Sequence, residues 1–576
     1  MSQKKLKKIR RRGEVEVSLL PADRDMGVVS VGFWEIIKEH WKFLVAVGVG
    51  IVVLFLNAMG GDFVSDDYAT IPQNPMVANL AYTLKVTPNL VQLTNTLIAM
   101  VLGIGSSIPY HMLNLTIFLG VNLMVFVLAY LLFGKTVAQF STLVFAVHPI
   151  HVEAVSWISG RPYSLFSLFG LIVLVSIILS LETRKRGYLV VMAVAGFLAF
   201  KADAARSLTW VFLVPLFLIY LGTTKKLKVN WSKLAVAGGI VAVLAVVLLW
   251  PAILTRIQVV NSGVNTSDSL FYDPLFQYPT SIAKYLQLLL VPIDLTLYHT
   301  MYVFPMWLNW FIFLNYVLVV VYFWFRDRRI SFALLFTFVA IAASMAPVKV
   351  AWLVAERYMF FGSVGFCMFL GMVISSLERW GKAVSTGVLV LVMVWFGVRV
   401  YWRNIDWQTN HNLWVSTCQV SPNSHNAWNN IGDDYDKLKD YTNAIKGFTQ
   451  STIVKPNYAD AYHNRANILF KVGRLDLARE SYSTAIYFSP NLMQSYLSLT
   501  QIDLMEQRLD LALAHAVKAV ELDPGGSQSL YVLAVVRAQR GEKNEAREIL
   551  KTVLRVNPNF RPATEMLIAL GAGDSS

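Results

Sequence analysis

The sequence predicts an all-α protein in two parts: a polytopic bundle of about eleven membrane helices, then a solenoid of paired helices. Three observations predict it. Apolar stretches of spanning length recur from about residue 43 to residue 400, five C-terminal prolines keep one fixed interval, and charge is scarce. Of 576 residues, 56% are hydrophobic and 15% charged, against about 25% charged in an average soluble chain. Mean hydropathy is +0.51, and 16 Trp, 24 Tyr and 34 Phe suit aromatic belts at membrane interfaces. A soluble enzyme, a disordered scaffold and a collagenous fibre are excluded. The two cysteines, Cys367 and Cys418, build no disulfide framework and lack zinc-ligand spacing.

The net charge of +14 does not point to nucleic acid. Basic residues gather in the N-terminal run Lys4, Lys5, Lys7, Lys8, Arg10, Arg11 and Arg12 and in short loops, the signature of the positive-inside rule. The first apolar run starts near Phe43, too far in for a signal peptide. Residues 1–42 therefore read as a cytoplasmic tail and juxtamembrane segment, and the first span as a retained anchor.

Runs of about 17–25 apolar residues can cross a bilayer. The expected spans are 43–59, 111–133, 136–150, 163–181, 188–200, 207–222, 233–254, 308–325, 330–346, 359–376 and 383–400. Alternation then places Lys135, Arg184 to Arg186, Lys225 to Lys228, Arg326 to Arg329 and Arg379 with Lys382 on the side of the tail. The C-terminal region falls on the opposite, non-cytoplasmic face. Segment 281–293, short and ended by Pro292, reads as interfacial or re-entrant.

After a linker helix at 403–421 comes the repeat region, 422–576. Pro422, Pro456, Pro490, Pro524 and Pro558 stand 34 residues apart, the tetratricopeptide period. Trp428, Gly432, Tyr435, Ala444 and Phe448 fit its pattern in the first of about four units. Such stacks present a concave surface that binds extended peptide. Asn426, Asn429, Asn430, Asn464 and Asn467 fall on its first-helix positions as candidates to hold a peptide backbone.

Chemistry at an outer face needs polar groups at the outer ends of spans, where charge is costly and so functional by default. These are Asp66, Asp67, His148, His151, Glu153, Arg161, Lys201, Asp203, Arg206, Lys349, Glu356 and Arg357. Adjacent carboxylates such as Asp66 and Asp67 repel, which favours a retained proton or a shared cation; either can serve as general base to a hydroxyl. His148, His151 and Glu153 have a spacing open to a divalent metal, with hydrogen bonding to phosphate or sugar the preferred role of the histidines. Arg357, with Lys201 and Arg161 behind it, suits a phosphate.

Four stretches carry a resemblance: 62–75 (DFVSDDYATIPQNP), 148–155 (HPIHVEAV), 355–358 (AERY, followed by Gly365 and Phe366) and 403–407 (RNIDW). With these and the repeats, the chain resembles the transmembrane and tetratricopeptide repeat-containing O-mannosyltransferases, a branch of the GT-C polytopic glycosyltransferases. The resemblance implies a GT-C-like membrane domain over 43–402, an outward-facing site and a polyprenyl-phosphate-linked sugar donor. It implies a Ser/Thr hydroxyl of a protein as acceptor and an acidic residue of the first outer loop as base, here Asp66 or Asp67. Arg161 precedes Pro162 and Tyr163 where the family tends to have a small residue and an acid, and after Lys201 and Ala202 the acid is displaced to Asp203. The short array and lack of a cleavable signal lean towards a bacterial inner membrane over the endoplasmic reticulum. The rival readings are a non-catalytic repeat scaffold for envelope assembly, a lipid transporter and a polysaccharide ligase.

Overall fold

A computed structural model describes residues 32–86, 88–224, 254, 273–300, 304–345 and 352–572. Among them every regular element is an α- or 3₁₀-helix, and the chain divides into compact units at Ser416/Thr417.

In the first unit, six described helices are long and apolar enough to cross a membrane: Phe33–Ala58, Ile108–Phe133, Ile158–Thr183, Arg206–Thr224, Met306–Arg326 and Lys382–Asp406. Helices 108–133 and 158–183 form the centre, each nearly three-quarters buried, whereas Met306–Arg326 is almost wholly exposed. Six of the eleven expected spans coincide with these helices. Expected spans 136–150, 188–200, 330–346 and 359–376 are helices of 13, 16, 12 and 14 residues, Lys135–Val147, Gly187–Ala202, Arg328–Val339 and Ser363–Ser376. Apolar helices of 12–14 residues are often core elements, whereas Gly187–Ala202 leaves Leu189, Val190, Val191, Val194 and Phe197 exposed. Ser363–Ser376 fits that account, because Gly371 abuts Ser141 and Gly365 abuts the Ala333 carbonyl so closely that a Cβ at either would collide. Expected span 233–254 lies outside the described residues except for Leu254.

Boundaries shift for local reasons. The first helix begins at Phe33, ten residues before the apolar run, because Glu35, Lys38 and Lys42 are good helix formers whose heads stay exposed. Segment 281–293 belongs to a longer helix, Pro274–Leu290, started by the Asp273 carboxylate accepting from Leu275 N–H at 2.9 Å. It is packed in the bundle through Tyr285, Leu288 and Leu289 rather than laid on its surface.

The second unit contains four helix pairs: His425–Lys437 with Tyr441–Val454, Ala459–Lys471 with Leu475–Phe488, Met493–Met505 with Leu509–Leu522, and Ser527–Gln539 with Lys543–Val556. Arg561–Ala572 closes the stack. The 34-residue period reaches the backbone itself. Lys439, Gly473, Gln507 and Gly541 all adopt positive φ at the turn inside each pair. Ala444, Ala478, Ala512 and Ala546 are all fully buried between paired helices, where a small side chain sets a close approach.

Candidate functional site

The four motifs, spread over nearly 350 residues, meet within the first unit. Asp62 N–H donates to the Gln408 carbonyl at 2.8 Å, and Ser65 N–H to Asn410 Oδ1 at 2.8 Å. Glu153 pairs with Arg357 through Oε1 and accepts the Arg357 backbone N–H at 2.8 Å through Oε2. Glu356 accepts from Arg403 Nη2 at 3.2 Å. Trp157, two residues beyond the second motif, stacks on Trp407 of the fourth at 5.6 Å.

The adjacent carboxylates part company. Asp66 is exposed; Asp67 is fully buried. The left-handed Ser65, φ 53°, turns the chain so that Asp67 faces inward, a conformation a non-glycine residue adopts only when its surroundings enforce it. Asp67 Oδ2 accepts from Val64 N–H at 3.1 Å, and Oδ1 from Ser159 N–H at 2.8 Å and Ser159 Oγ at 2.5 Å. Burial pushes its carboxyl up to about 6, opposed by the Ser159 and Val64 hydrogen bonds. Asp67 is held as a clamp, while the Asp66 carboxylate is left open to solvent.

Ser159 also lines a cavity of about 530 Å³ with Thr70, Asn89, Gln92, Asn95 and Lys201. Lys201 donates one bond, 3.2 Å to the Pro88 carbonyl, which leaves an ammonium with donors to spare. Asp203, on the same wall, pairs with Arg206. The Arg206 guanidinium lies 3.6 Å from the Tyr163 ring centroid, and Tyr163 Oη accepts from Arg357 Nε at 3.1 Å. A continuous chain of contacts thus runs from the cavity wall through Asp203, Arg206, Tyr163 and Arg357 to Glu153. Burial disfavours the charge on Arg357, but Glu153 outweighs it and holds the guanidinium well above its ordinary range.

Other predicted residues have different work. Arg161 does not offer its guanidinium to a phosphate: it is fully buried and donates to Asn114 at 2.7 Å, Thr94 at 2.9 Å, Asn95 at 2.5 Å and the Tyr110 carbonyl at 3.2 Å. His148, His151 and Glu153 form no ligand set, because each turns to a different partner. The segment is helical, a 3₁₀ turn at Pro149–His151 leading into Val152–Ser156. His148 Nε2 lies 3.0 Å from the Leu289 carbonyl and His151 Nε2 2.7 Å from Ser363 Oγ. Burial lowers the His151 imidazole well below its usual range. Among the described residues no three His, Cys, Asp or Glu side chains converge as a metal would require. Glu356 is buried against Thr296 N–H at 2.5 Å and Arg403, and burial pushes it up to about 7. Lys349 lies outside the described residues.

Sequence reasoning missed Ser159, Tyr163 and Arg403. Arg403 stood inside a quoted motif; Ser159 and Tyr163 carry no signal of their own. In the repeat unit, Asn464 and Asn467 line a groove of about 370 Å³ with Asp436, Phe470, Lys471, Ser498 and Gln501. Asn464 donates to Asn429 at 3.0 Å, and Asn467 accepts from Tyr482 Oη at 2.6 Å. Asn426, Asn429 and Asn430 are not among its lining residues.

Tetratricopeptide-repeat family models match residues 459–492 and 503–570. The protein O-mannosyl-transferase TMTC3 of Homo sapiens is 26% identical over 60% of this chain and 42% of its own length. The protein O-mannosyl-transferase F38B6.6 of Caenorhabditis elegans is 22% identical over 69% of this chain and 61% of its own. The chain thus spans about half the length of these curated relatives. The crystal structure of MamA overlaps 26% of this chain and 87% of its own, with 17% identity and a TM-score of 0.25. The chain is accordingly an all-α membrane protein with C-terminal tetratricopeptide repeats, related in sequence to proteins named protein O-mannosyl-transferases.

Proposed function

We propose that the chain is a GT-C-type membrane glycosyltransferase that moves a hexose, mannose by the names of its relatives, onto Ser/Thr hydroxyls of a protein. The donor is a polyprenyl-phosphate-linked sugar, and transfer occurs on the non-cytoplasmic face given by the charge alternation. The observation that carries this reading is the loop around Asp66 and Asp67. One carboxylate is buried as a clamp on Ser159, a residue of the cavity wall, and its neighbour is left exposed.

In this reading Asp66 takes the proton from the acceptor hydroxyl as its oxygen forms a bond to the anomeric carbon. The bond from that carbon to the phosphate oxygen breaks, and its electron pair leaves with the lipid phosphate. Lys201 meets the growing negative charge on that phosphate, and Arg357, held in place by Glu153 and Tyr163, supports the same wall. The repeat groove binds the acceptor protein, which raises its effective concentration for the tethered site. A bacterial plasma membrane is the favoured location, the endoplasmic reticulum the alternative.

Mass spectrometry of glycopeptides from cells with the wild-type chain, no chain or Asp66→Asn tests it. Loss of hexose adducts in the last two establishes the transferase and its acceptors. Unchanged adducts in all three would leave the repeat scaffold as the better reading.

A further inference from the structure

We propose that the cavity of about 530 Å³ reads a sugar through a wall of fixed hydrogen-bond polarity, set from behind by Arg161 and Asp67 as positioning residues. Asn89 and Asn95 can only donate into it, and Thr70 and Ser159 can only accept. That the ligand is a sugar phosphate rests on the transferase reading; the polarity of the wall does not.

All four side chains line the cavity. An amide or a hydroxyl carries both a donor and an acceptor, so in water it turns to suit its partner. Here each is held from behind by a group that has no such choice. Arg161 has donors alone, so the Asn95 atom that it holds at 2.5 Å is Oδ1. Among the described residues Asn95 Nδ2 has no acceptor, and it is the atom left to serve a ligand. The Gln92 backbone N–H fixes Asn89 in the same sense, donating to its Oδ1 at 2.7 Å where Asn89 caps helix Leu90–Leu102.

The hydroxyls are fixed the other way. Thr70 Oγ1 lies 3.0 Å from the Asp66 carbonyl and 3.2 Å from the Asp67 carbonyl. Both are acceptors, so the threonine proton is committed inward and its lone pairs remain. Asp67 does the same to Ser159. Its Oδ2 accepts from Val64 N–H and its Oδ1 from Ser159 N–H, so the contact of Oδ1 with Ser159 Oγ at 2.5 Å is donated by the serine. Arg161 in turn favours the ionised form of Asp67 that accepts these bonds.

Every group that Arg161 touches is neutral, and a guanidinium sealed among neutral groups carries a desolvation cost. What that arrangement provides is an amide that cannot flip. The division of polarity matches a sugar phosphate. A phosphate only accepts, so it suits the side of Asn89, Asn95 and Lys201 and offers nothing to Thr70 or Ser159. Sugar hydroxyls supply the protons that those two oxygens lack. A purely apolar occupant would strand all four groups.

Calorimetric titration of the full chain in detergent micelles with α-mannosyl phosphate tests this without turnover. Asn95→Asp keeps the size of the side chain and its contact with Arg161 but replaces the outward donor by an acceptor. It is expected to weaken binding about tenfold or more with no fall in the thermal unfolding temperature. Arg161→Lys loses the fork that orients the amide and is expected to weaken binding severalfold. In an Asn95→Ala chain, with no amide to orient, Arg161→Lys should add nothing. Monodeoxyfluoro derivatives of the probe, in which fluorine cannot donate, should include one that binds the wild-type chain about tenfold more weakly and Ser159→Ala no more weakly than the parent sugar does. Unchanged binding by Asn95→Asp would overturn the proposal. So would an equal loss from Arg161→Lys with and without Asn95, the mark of a merely structural role, or a wild-type chain that does not bind the probe. A chain that binds with the expected pattern but transfers nothing would sink the transferase reading and leave this one standing.

Discussion

The two units manage charge in opposite ways. In the first, Arg161, Arg403, Glu153 and Glu356 are essentially inaccessible to solvent, and each is tied to partners from distant parts of the chain. In the repeat unit, alanines fill the space between paired helices and most charges stay outside, as with Asp510 beside Arg540. Asp503, buried between Arg479 and His515, is a local exception. A buried charge is tolerated only when paired and hydrogen-bonded, so the first unit is built from individually irreplaceable groups. The repeat unit distributes its stability over many equivalent positions.

The sharpest way to break this contrast is at the loop carboxylates. Asp66→Asn is expected to lower sugar transfer by about 10²-fold or more without moving the unfolding temperature, since Asp66 is exposed. Assay of purified chain with lipid-linked donor and acceptor peptide checks it; retained activity would remove Asp66 as the base. Next comes the buried pair. Arg357→Met strands the fully buried Glu153 carboxylate without its partner and is expected to cost about 3–5 kcal/mol, read as thermal unfolding in detergent. Glu153→Gln together with Arg357→Met should recover part of that loss.

Asp67 gives a pH signature. Its folded value of about 6 lies above the ordinary 3.8, so its contribution to stability is fully present below about pH 4 and fades as pH rises through 6. The ionised form is the one that accepts the Val64 and Ser159 hydrogen bonds, so transfer is expected to rise over the same window. Asp67→Asn should lower the rate and remove that inflection from a pH–rate profile.

The repeat unit should answer with smaller, local changes. Lys439 and Gln507 occupy the positive-φ position that Gly473 and Gly541 fill in alternate repeats. Lys439→Gly and Gln507→Gly are each expected to stabilise their turn by about 1 kcal/mol, seen as slower hydrogen exchange in the flanking helices. At the far end of the scale, Lys518→Ala removes an exposed partner of Glu521 and should change nothing measurable.

The same contrast decides what could be read in advance. A repeat announces itself because each unit restates the rule, and the prolines at 34-residue intervals gave away even its register. The membrane unit speaks once. Asp66 and Asp67 are identical as letters, and only the turn at Ser65 makes one a buried clamp and leaves the other exposed. Arg161 looked like an anion receptor because its acceptors, Thr94, Asn95, Asn114 and Tyr110, arrive from elements that nothing in the sequence links to it. An apolar helix pressed against protein, as Ser363–Ser376 is, has the composition of one pressed against lipid. The four motifs were legible as a set, but their convergence through Gln408, Asn410, Arg357 and Arg403 is a property of the packed chain alone.

The recurring turn at 439, 473, 507 and 541 has one further consequence. It makes the length of the repeat unit a quantised variable. One more 34-residue module inserted in phase after Pro524 would meet the same two neighbouring surfaces that every internal module meets, and would lengthen the array by one increment. An insertion of 33 or 35 residues would instead leave one turn of the added module a residue short or long. The breadth of partner this protein can hold is thus set by arithmetic, through the number of copies spliced in register, and can change without revising a single contact around Asp67.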